Sequence, residues 1–276
     1  MKLDIKELLN YGKKELSEIE DGYIKAKILL EHVLKLKRED IISNYNKDVT
    51  EKELDNFKNG IDKIKKGTPV QYITNNQEFM KMNFYVDENV LIPQPDTEIL
   101  VEETIKICNN YDKEINVLDL CTGSGAIAVS ISKYVKNAKV YASDISKKAI
   151  EIAQRNAVNN NVNVEFIYSD MFDLIPKNYF DIIISNPPYI ETDVINSLSE
   201  EVKHEPRLAL DGGENGLNFY EIIAKEYKDY LKDDGHLLLE IGYDQAEKVN
   251  KLFNNKGKVL KDLSGNDRVI ILKKDD

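Results

Sequence analysis

Hydrophobic positions in the first quarter of the chain follow a helical period. Between residues 5 and 65, apolar side chains alternate with Lys and Glu at the spacing of an amphipathic helix. Glycine and proline are scarce in this stretch. The clearest run of apolar positions is Ile24, Ile28, Leu29 and Val33. Residues 1–68 are therefore predicted to form a small domain of several short helices.

The helical pattern is interrupted at Gly67-Thr68-Pro69. Beyond it, Val70–Thr74 and residues 84–86 are rich in β-branched and aromatic side chains, which predicts two strands of a hairpin. We assign residues 69–95 to a hairpin linker. A helix is predicted to begin at Asp96 or Thr97, with Glu98 near its positive end.

From residue 96 onward, short apolar runs alternate with helical patterns. This alternation is typical of a doubly wound α/β domain with a largely parallel sheet, here a seven-stranded Rossmann-like sheet. The predicted domain covers residues 96–276. Its strands are predicted near residues 115–120, 138–143, 163–168, 180–185, 236–241, 257–262 and 268–273.

Composition narrows the range of functions. The chain has 276 residues, 42% of them hydrophobic, and a net charge of −11. Residues 1–85 hold 16 basic and 15 acidic side chains, so the negative charge lies in the α/β part, which argues against direct nucleic-acid binding. Two cysteines without metal-ligand spacing predict neither a disulfide framework nor a metal site. With no apolar run of 18 residues, we expect a soluble cytoplasmic protein that does not bind membranes.

A glycine-containing turn follows the strand predicted at residues 115–120. The turn is Cys121-Thr122-Gly123-Ser124-Gly125, and a helical pattern begins directly after it. Gly123 and Gly125 allow a ligand to approach the backbone, and the helix N-terminus offers free N–H groups. Asp144 lies 21 positions after Gly123, at the end of the next predicted strand, where a carboxylate accepts from ribose hydroxyls. By itself this pattern leaves NAD and S-adenosylmethionine both open.

The tetrapeptide Asn186-Pro187-Pro188-Tyr189 follows the apolar strand predicted at residues 180–185. The Asn186 side-chain oxygen and the Pro187 carbonyl are two hydrogen-bond acceptors, and Pro188 restricts the direction of that carbonyl. The Tyr189 ring can close one face of the site. The tetrapeptide therefore predicts a cup for one planar NH2 group, with Asn186, Pro187 and Tyr189 as catalytic candidates and all four residues as substrate contacts.

The turn and the tetrapeptide are predicted to meet. Ligands of doubly wound sheets bind at the carboxyl ends of the strands where the strand order reverses, so the two motifs share one crevice if their strands are neighbours. An NH2 cup suits a methyl donor, whereas hydride transfer needs a proton relay, and the combination favours S-adenosylmethionine. Its adenine is expected near residues 169–172, against Met171 or Phe172. The long segment 190–218 is interpreted as a lid or binding loop.

Over nearly its whole length the chain resembles the release-factor glutamine N5-methyltransferases of the HemK/PrmC type. Besides the turn and the tetrapeptide, the matching segments are Pro69-Val70-Gln71-Tyr72-Ile73, Leu91-Ile92-Pro93, Pro95-Asp96-Thr97-Glu98, Glu205-Pro206, Gly212-Gly213 and Gly265-Asn266-Asp267-Arg268-Val269. The resemblance implies a helical domain that helps to dock a class 1 peptide chain release factor. It also implies a domain that methylates the Gln of the release factor's Gly-Gly-Gln loop from S-adenosylmethionine.

Site residues are carried over from this resemblance position by position. The implied substrate contacts are Asn186 to Tyr189. The implied cofactor contacts are Cys121, Thr122, Gly123, Ser124, Gly125, Asp144, Met171 and Asn186.

The sequence departs from the family pattern at three positions. Gln94 stands where the family usually has Arg, Asn75 stands near a usual Gly, and Met171 stands where some members have a larger aromatic residue. Three alternatives are kept open: a ribosomal-protein glutamine methyltransferase, an adenine-N6 DNA methyltransferase that flips its base into the same cup, and a cofactor-binding module without activity.

Overall fold

The computed structural model describes residues 3–275, apart from the side chain of Arg38. Their contacts separate them into two compact units. The helical unit runs up to Asn76 and also includes Ser199–His204, and the sheet unit comprises Gln77–Leu198 and the residues from Glu205 onward. Within residues 3–275, no helix is both long and apolar enough to cross a bilayer.

The helices in chain order are α1 (Ile5–Glu15), α2 (Gly22–Leu34), α3 (Arg38–Ser43), α4 (Glu51–Lys65), α5 (Val70–Thr74), α6 (Thr97–Cys108), α7 (Ala126–Tyr134), α8 (Lys147–Asn159), α9 (Glu200–Lys203), α10 (Arg207–Leu210), α11 (Asn218–Tyr230) and α12 (Ala246–Leu252). The strands are β1 (Gln77–Phe79), β2 (Met82–Phe84), β3 (Ile115–Leu120), β4 (Ala138–Asp144), β5 (Glu165–Tyr168), β6 (Phe180–Ser185), β7 (Leu231–Glu240), β8 (Lys258–Lys261) and β9 (Asp267–Lys273). A single 3-10 turn covers Ile195–Ser197.

The predicted helical bundle is present, and α2 and α4 pack closely within it. α4 runs straight through Gly60, where a Cβ atom would lie 2.6 Å from the Leu29 side chain, so the missing side chain permits the close approach. The face that α2 buries includes Ala26, Leu29 and Leu30. Of the predicted apolar run, Leu29 lies on this buried face, whereas Ile24 is 54% exposed. The buried face of α2 is therefore rotated relative to the predicted one.

The prediction of a strand at Val70–Thr74 is wrong, because these residues form α5. Pro69 precedes the helix, and its carbonyl accepts from Tyr72 N at 3.1 Å, while Val70 is buried in the core of the helical unit. This packing outweighs the strand preference of the β-branched side chains. α5 ends at Asn75 with φ of 51°, a left-handed conformation that Gly adopts most easily and Asn tolerates.

The hairpin itself is present, but it is formed by β1 and β2 rather than by the predicted strands. It belongs to the sheet unit, whereas residues 70–76 belong to the helical unit. Glu98, in the first turn of α6, accepts a hydrogen bond from Met80 N at 2.6 Å and so ties the hairpin turn to that helix. Asp96 occupies the N-cap position of α6 without a side-chain capping hydrogen bond.

The seven predicted strands of the sheet are confirmed. Their order is β5-β4-β3-β6-β7-β9-β8, with β3 to β7 parallel and β9 antiparallel to both β7 and β8. β7 begins at Leu231, five positions before the predicted start. Both faces of the sheet are covered by apolar side chains, which form two separate cores.

β3 and β6 are neighbours at the point where the strand order reverses. Leu120 pairs with Ser185 in parallel register, and Ser185 Oγ donates to the Leu120 carbonyl at 2.6 Å. Because the glycine turn follows Leu120 and the tetrapeptide follows Ser185, both motifs leave the sheet side by side. The predicted apposition of the two motifs is confirmed.

Candidate active site

The glycine turn is held in place by Asp119, the fifth residue of β3. Its Oδ2 accepts from Thr122 Oγ1 at 2.5 Å and from Ala128 N at 3.1 Å, linking the turn to the first residues of α7. Asp119 is fully buried, and this burial raises its pKa to about 7. A carboxylate at this place therefore fixes the course of the chain between strand and helix.

The two glycines of the turn have different surroundings. Gly123 has φ of 55°, and a Cβ atom added there would meet nothing within 4 Å. Gly125 has φ of 80°, and its Cβ would lie 2.8 Å from Ala153 Cβ on α8. Gly123 thus leaves open space beside the turn, whereas Gly125 allows the turn to pack against α8.

Asp144, the last residue of β4, lies next to this turn. Its Oδ2 accepts from Gly123 N at 2.9 Å, and its Oδ1 accepts from Ser146 N at 2.8 Å. Burial raises the pKa of Asp144, and the backbone hydrogen bonds oppose that shift. Each carboxylate oxygen has two lone pairs, so both oxygens can accept a further hydrogen bond from a ligand.

A cavity of about 450 Å³ opens at the carboxyl ends of β3, β4, β5 and β6. This volume lies within the usual range for a small-molecule site. Among the predicted site residues, it is lined by Cys121, Thr122, Gly123, Ser124, Asp144, Met171, Asn186 and Pro188. Gly125, Pro187 and Tyr189 do not line it.

The wall after β5 decides between two predicted adenine contacts. Met171 lines the cavity, with its Sδ 3.8 Å from Cys121 Sγ. Phe172 is buried in the core instead, stacked on Tyr230 with ring centroids 4.4 Å apart. Burial raises the pKa of Cys121 strongly, which keeps the thiol protonated and excludes it as a nucleophile at neutral pH.

The tetrapeptide lies at the edge of the cavity, which Asn186 and Pro188 line. Asn186 Nδ2 donates to Thr97 Oγ1 at 3.4 Å, and within residues 3–275 no group donates to Asn186 Oδ1 or to the Pro187 carbonyl. Tyr189 turns away from the cavity and packs against the core beneath it. Burial raises the pKa of Tyr189, and Arg268 acts in the opposite direction. Two oxygen acceptors therefore remain available for one NH2 group.

Ile190 and Gly212 support the tetrapeptide from behind, a role that pattern reasoning missed. Gly212 N donates to the Ile190 carbonyl at 2.8 Å, and a Cβ on Gly212 would lie 2.7 Å from Tyr189 Cα. Gln245 Nε2 donates to the Tyr189 carbonyl at 3.0 Å. The Gly212-Gly213 motif was a signal for this contact, since only glycine lets two backbones come so close.

Part of the segment 190–218 lines the cavity, which agrees with its interpretation as a binding loop. Pro206, Leu208 and Ala209 contribute to the wall. Glu205 Oε2 accepts from Ile92 N at 2.9 Å, which joins two of the motifs quoted above. Gln94 also lines the cavity, and its Nε2 donates to the Ile92 carbonyl at 3.0 Å.

A group of charged side chains, most of them largely buried, lies behind the tetrapeptide and was not predicted. Arg268 Nη2 lies 3.0 Å from Asp96 Oδ2 and 3.2 Å from Asp262 Oδ2. Glu240, at the end of β7, is 2% exposed, and burial raises its pKa to about 7. The hydrophobic pattern of β7 gave no sign that its last residue would be buried beside Asn186.

Comparison with known proteins agrees with this geometry. A family model described as the methyltransferase small domain matches residues 95–261, and one described as the PrmC N-terminal domain matches residues 7–74. The release factor glutamine methyltransferase of Clostridium acetobutylicum is 41% identical over 98% of both chains. The chain belongs to the release factor glutamine methyltransferase family.

The chain is also similar to a second curated relative and to a solved structure. The release factor glutamine methyltransferase of Clostridium botulinum is 38% identical over 98% of this chain and 99% of its own length. The crystal structure of a methyltransferase from Pyrococcus furiosus superposes with a TM-score of 0.53, covering 71% of this chain and 90% of that one at 19% identity. That likeness concerns the fold alone.

Proposed function

We propose that this glutamine methyltransferase binds S-adenosylmethionine in the cavity at the ends of β3 to β6. The residues present suit that ligand. The Asp144 carboxylate has acceptor capacity left for two ribose hydroxyls, and the open space beside Gly123 lets a ligand approach the turn. Met171 offers a polarizable, apolar surface for the adenine.

When bound, this cofactor supplies a methyl group on a positively charged sulfur, which reacts with a nucleophile. The chain's own task is to hold the nucleophile. Asn186 Oδ1 and the Pro187 carbonyl accept the two N–H bonds of a substrate carboxamide, so that the face of its nitrogen is turned to the cavity. As the nitrogen takes the methyl group, the bond between methyl and sulfur would break, and the positive charge growing on the nitrogen would strengthen both hydrogen bonds. One of the two N–H protons would then leave to water, giving a neutral methylated amide.

The protein substrate that we propose is a class 1 peptide chain release factor, methylated on the side-chain nitrogen of the Gln in its Gly-Gly-Gln loop. The observation that carries this proposal is the pair of free acceptors at Asn186 and Pro187 beside the cofactor cavity. The names of the relatives support the same substrate. The net charge of −11 speaks against a nucleic-acid substrate, and the reaction is expected to take place in the cytoplasm.

The test is transfer of a radiolabelled methyl group from S-adenosylmethionine to a purified class 1 release factor. We expect the label on the loop Gln and none on a release factor in which this Gln is replaced by Ala. Label on a ribosomal protein or on adenine in DNA, with none on the release factor, would refute the proposed substrate.

Asn186→Ala tests the role of the side-chain acceptor in the same assay. We expect a loss of about 2–4 kcal/mol in transition-state stabilisation, which is roughly a 30- to 900-fold loss of kcat/KM. Asn83→Ala, which changes an exposed residue of the hairpin, is the matched control and should keep wild-type activity. Near-normal turnover of Asn186→Ala would disprove the assigned role.

A further inference from the structure

Glu240 is a buried carboxylate beside the tetrapeptide that the reaction described above does not use. It ends β7, the neighbour of β6, and its backbone carbonyl accepts the Tyr220 hydroxyl at 2.9 Å. Its Oε2 has no hydrogen-bond partner within residues 3–275. Burying a carboxylate costs free energy unless it is paired or hydrogen-bonded. The presence of Glu240 next to the site therefore calls for an explanation.

A direct ion pair with Arg268 does not provide that explanation. The guanidinium of Arg268 already contacts two carboxylates, Asp96 and Asp262. In the part of the chain that the structure describes, no ion pair joins Arg268 to Glu240. The opposite charge of Arg268 lowers the pKa of Glu240 from beyond ion-pair distance.

The nearest functional group on the neighbouring strand is the Asn186 carboxamide. Ser185 pairs with Leu239 in parallel register, so Asn186 and Glu240 are the next residues on two adjacent strand ends. Asn186 Nδ2 donates to Thr97 Oγ1. Burial raises the pKa of Glu240, whereas a hydrogen bond from Thr97, the charge of Arg268 and a hydrogen bond from Asn186 lower it, in that order. Glu240 and Thr97 thus both lie on the NH2 side of Asn186.

We propose that Glu240 is a positioning residue that orients the Asn186 carboxamide, with Nδ2 turned toward the carboxylate and Oδ1 turned toward the substrate. Above its pKa of about 7 the Glu240 carboxylate is ionised and only accepts hydrogen bonds, so it attracts the NH2 end of an amide and repels the oxygen end. Without this carboxylate, the amide group of Asn186 can rotate by about 180° at little cost in energy, because its terminal torsion is broad and two-fold. A turned amide would place a donor where the substrate NH2 needs an acceptor. The inference rests on the proposed function, since it explains how Asn186 performs its part.

Glu240→Gln separates this role from simple space filling. Glutamine has nearly the same shape, but it presents both a donor and an acceptor and therefore does not select one orientation of Asn186. We expect kcat to fall roughly 10- to 100-fold, with the KM for the release factor and the Kd for S-adenosylmethionine changed less than about threefold. A kcat within twofold of wild type would overturn the proposal.

Asp181→Asn is the matched control. Asp181 is also a buried carboxylate, 3% exposed, but it lies on β6 away from the cavity and contacts Lys232 Nζ at 2.6 Å. Neutralising it removes a buried charge without touching Asn186, so kcat should stay within twofold of wild type. An equal loss of kcat in both variants would show that Glu240→Gln acts through general destabilisation and would overturn the proposal.

A double-mutant cycle tests whether Glu240 acts through Asn186. In the Asn186→Ala background there is no amide to orient, so adding Glu240→Gln should cause no further loss of kcat. If the two losses multiply, Glu240 acts independently of Asn186 and the proposal fails.

A measurement without turnover keeps the test separate from the identity of the substrate. In protein labelled with ¹⁵N-Asn, the NH2 signal of Asn186 is assigned by its loss in Asn186→Ala. Glu240→Gln should shift this signal and speed its hydrogen exchange at least tenfold, while Asp181→Asn leaves both unchanged. An unchanged signal in Glu240→Gln would refute the positioning role even if the release factor is methylated. A shifted signal in a protein that does not methylate the release factor would instead refute only the proposed substrate.

Discussion

Gly123 and Gly125 belong to one turn, yet replacing each of them by Ala should damage different properties of the protein. Both have positive φ, at 55° and 80°. An added Cβ meets nothing within 4 Å at Gly123, and it meets Ala153 Cβ at 2.8 Å at Gly125. Gly123 lines the cavity, whereas Gly125 does not. We therefore expect Gly125→Ala to reduce mainly stability and Gly123→Ala to reduce mainly cofactor binding.

The size of each effect follows from these contacts. A left-handed conformation costs a residue with a Cβ about 1–2 kcal/mol, and both variants bear this cost. Gly125→Ala also forces α8 away from the turn, and such overpacking costs about 1–3 kcal/mol more. The contact is with the fully buried Ala153, which has no flexible atoms to move aside. The unfolding free energy should therefore drop by about 2–5 kcal/mol in Gly125→Ala and by about 1–2 kcal/mol in Gly123→Ala.

Urea unfolding monitored by circular dichroism gives the two losses of stability, and calorimetric titration with S-adenosylmethionine gives the two dissociation constants. The methyl group of Gly123→Ala enters the space that the ligand is proposed to occupy, so Kd should rise at least tenfold in this variant. The rise in Gly125→Ala should be smaller. The reasoning is refuted if Gly123→Ala binds S-adenosylmethionine as wild type does, or if it is the less stable of the two proteins.

Three further changes address other parts of the site. Asp144→Asn removes a charged acceptor worth about 1.5–3 kcal/mol, so calorimetry should show Kd for S-adenosylmethionine raised roughly 10- to 100-fold, and an unchanged Kd would contradict the ribose contact. Glu205→Ala removes the acceptor of Ile92 N and should lower the unfolding free energy by about 1–3 kcal/mol in urea titrations, with a smaller loss in Glu205→Gln. As the pH rises from about 5 to 8, the unfolding free energy of wild type should fall more than that of Glu240→Gln. The reason is the raised pKa of Glu240, because of which the folded state keeps a proton that the unfolded state has already released. Parallel pH profiles of the two proteins in urea titrations would rule out this linkage.

The sheet could be predicted from sequence because its signal is local. β3 and β6 are mostly apolar runs bounded by turn residues, which is the pattern of strands buried on both faces. α5 could not be predicted in the same way. Four of its five residues are β-branched or aromatic, and what makes them helical is the burial of Val70 in the core of the helical unit, a contact with residues distant in sequence. Local propensity is a weak guide when packing decides.

The site was predictable only where its chemistry is carried by consecutive residues. The predicted chemistry of the turn and of the tetrapeptide can be read from consecutive residues in each motif. The fold adds that the two motifs follow neighbouring strands. Glu240 and the backbone contacts of Gly212 are different, since each acts on a residue more than 20 positions away. A Gly-Gly pair in a loop indicates a close backbone contact but not its partner, and a buried acid at a strand end gives no signal at all until the fold shows its neighbours.

The order β4-β3-β6-β7 explains why these polar groups meet at one edge. Each of these four parallel strands ends in a residue that contacts the cavity or lies directly behind it, and adjacent strands bring their ends to within a few ångströms of one another. Asp144 closes β4, the glycine turn follows β3, the tetrapeptide follows β6, and Glu240 closes β7. The proposed cofactor residues thus occupy one half of the row and the proposed amide-binding residues occupy the other, so in the proposed reaction the methyl group crosses the line between β3 and β6. A reaction that depends on positioning needs such a rigid row, because a small shift between neighbouring strands would turn the nitrogen away from its partner.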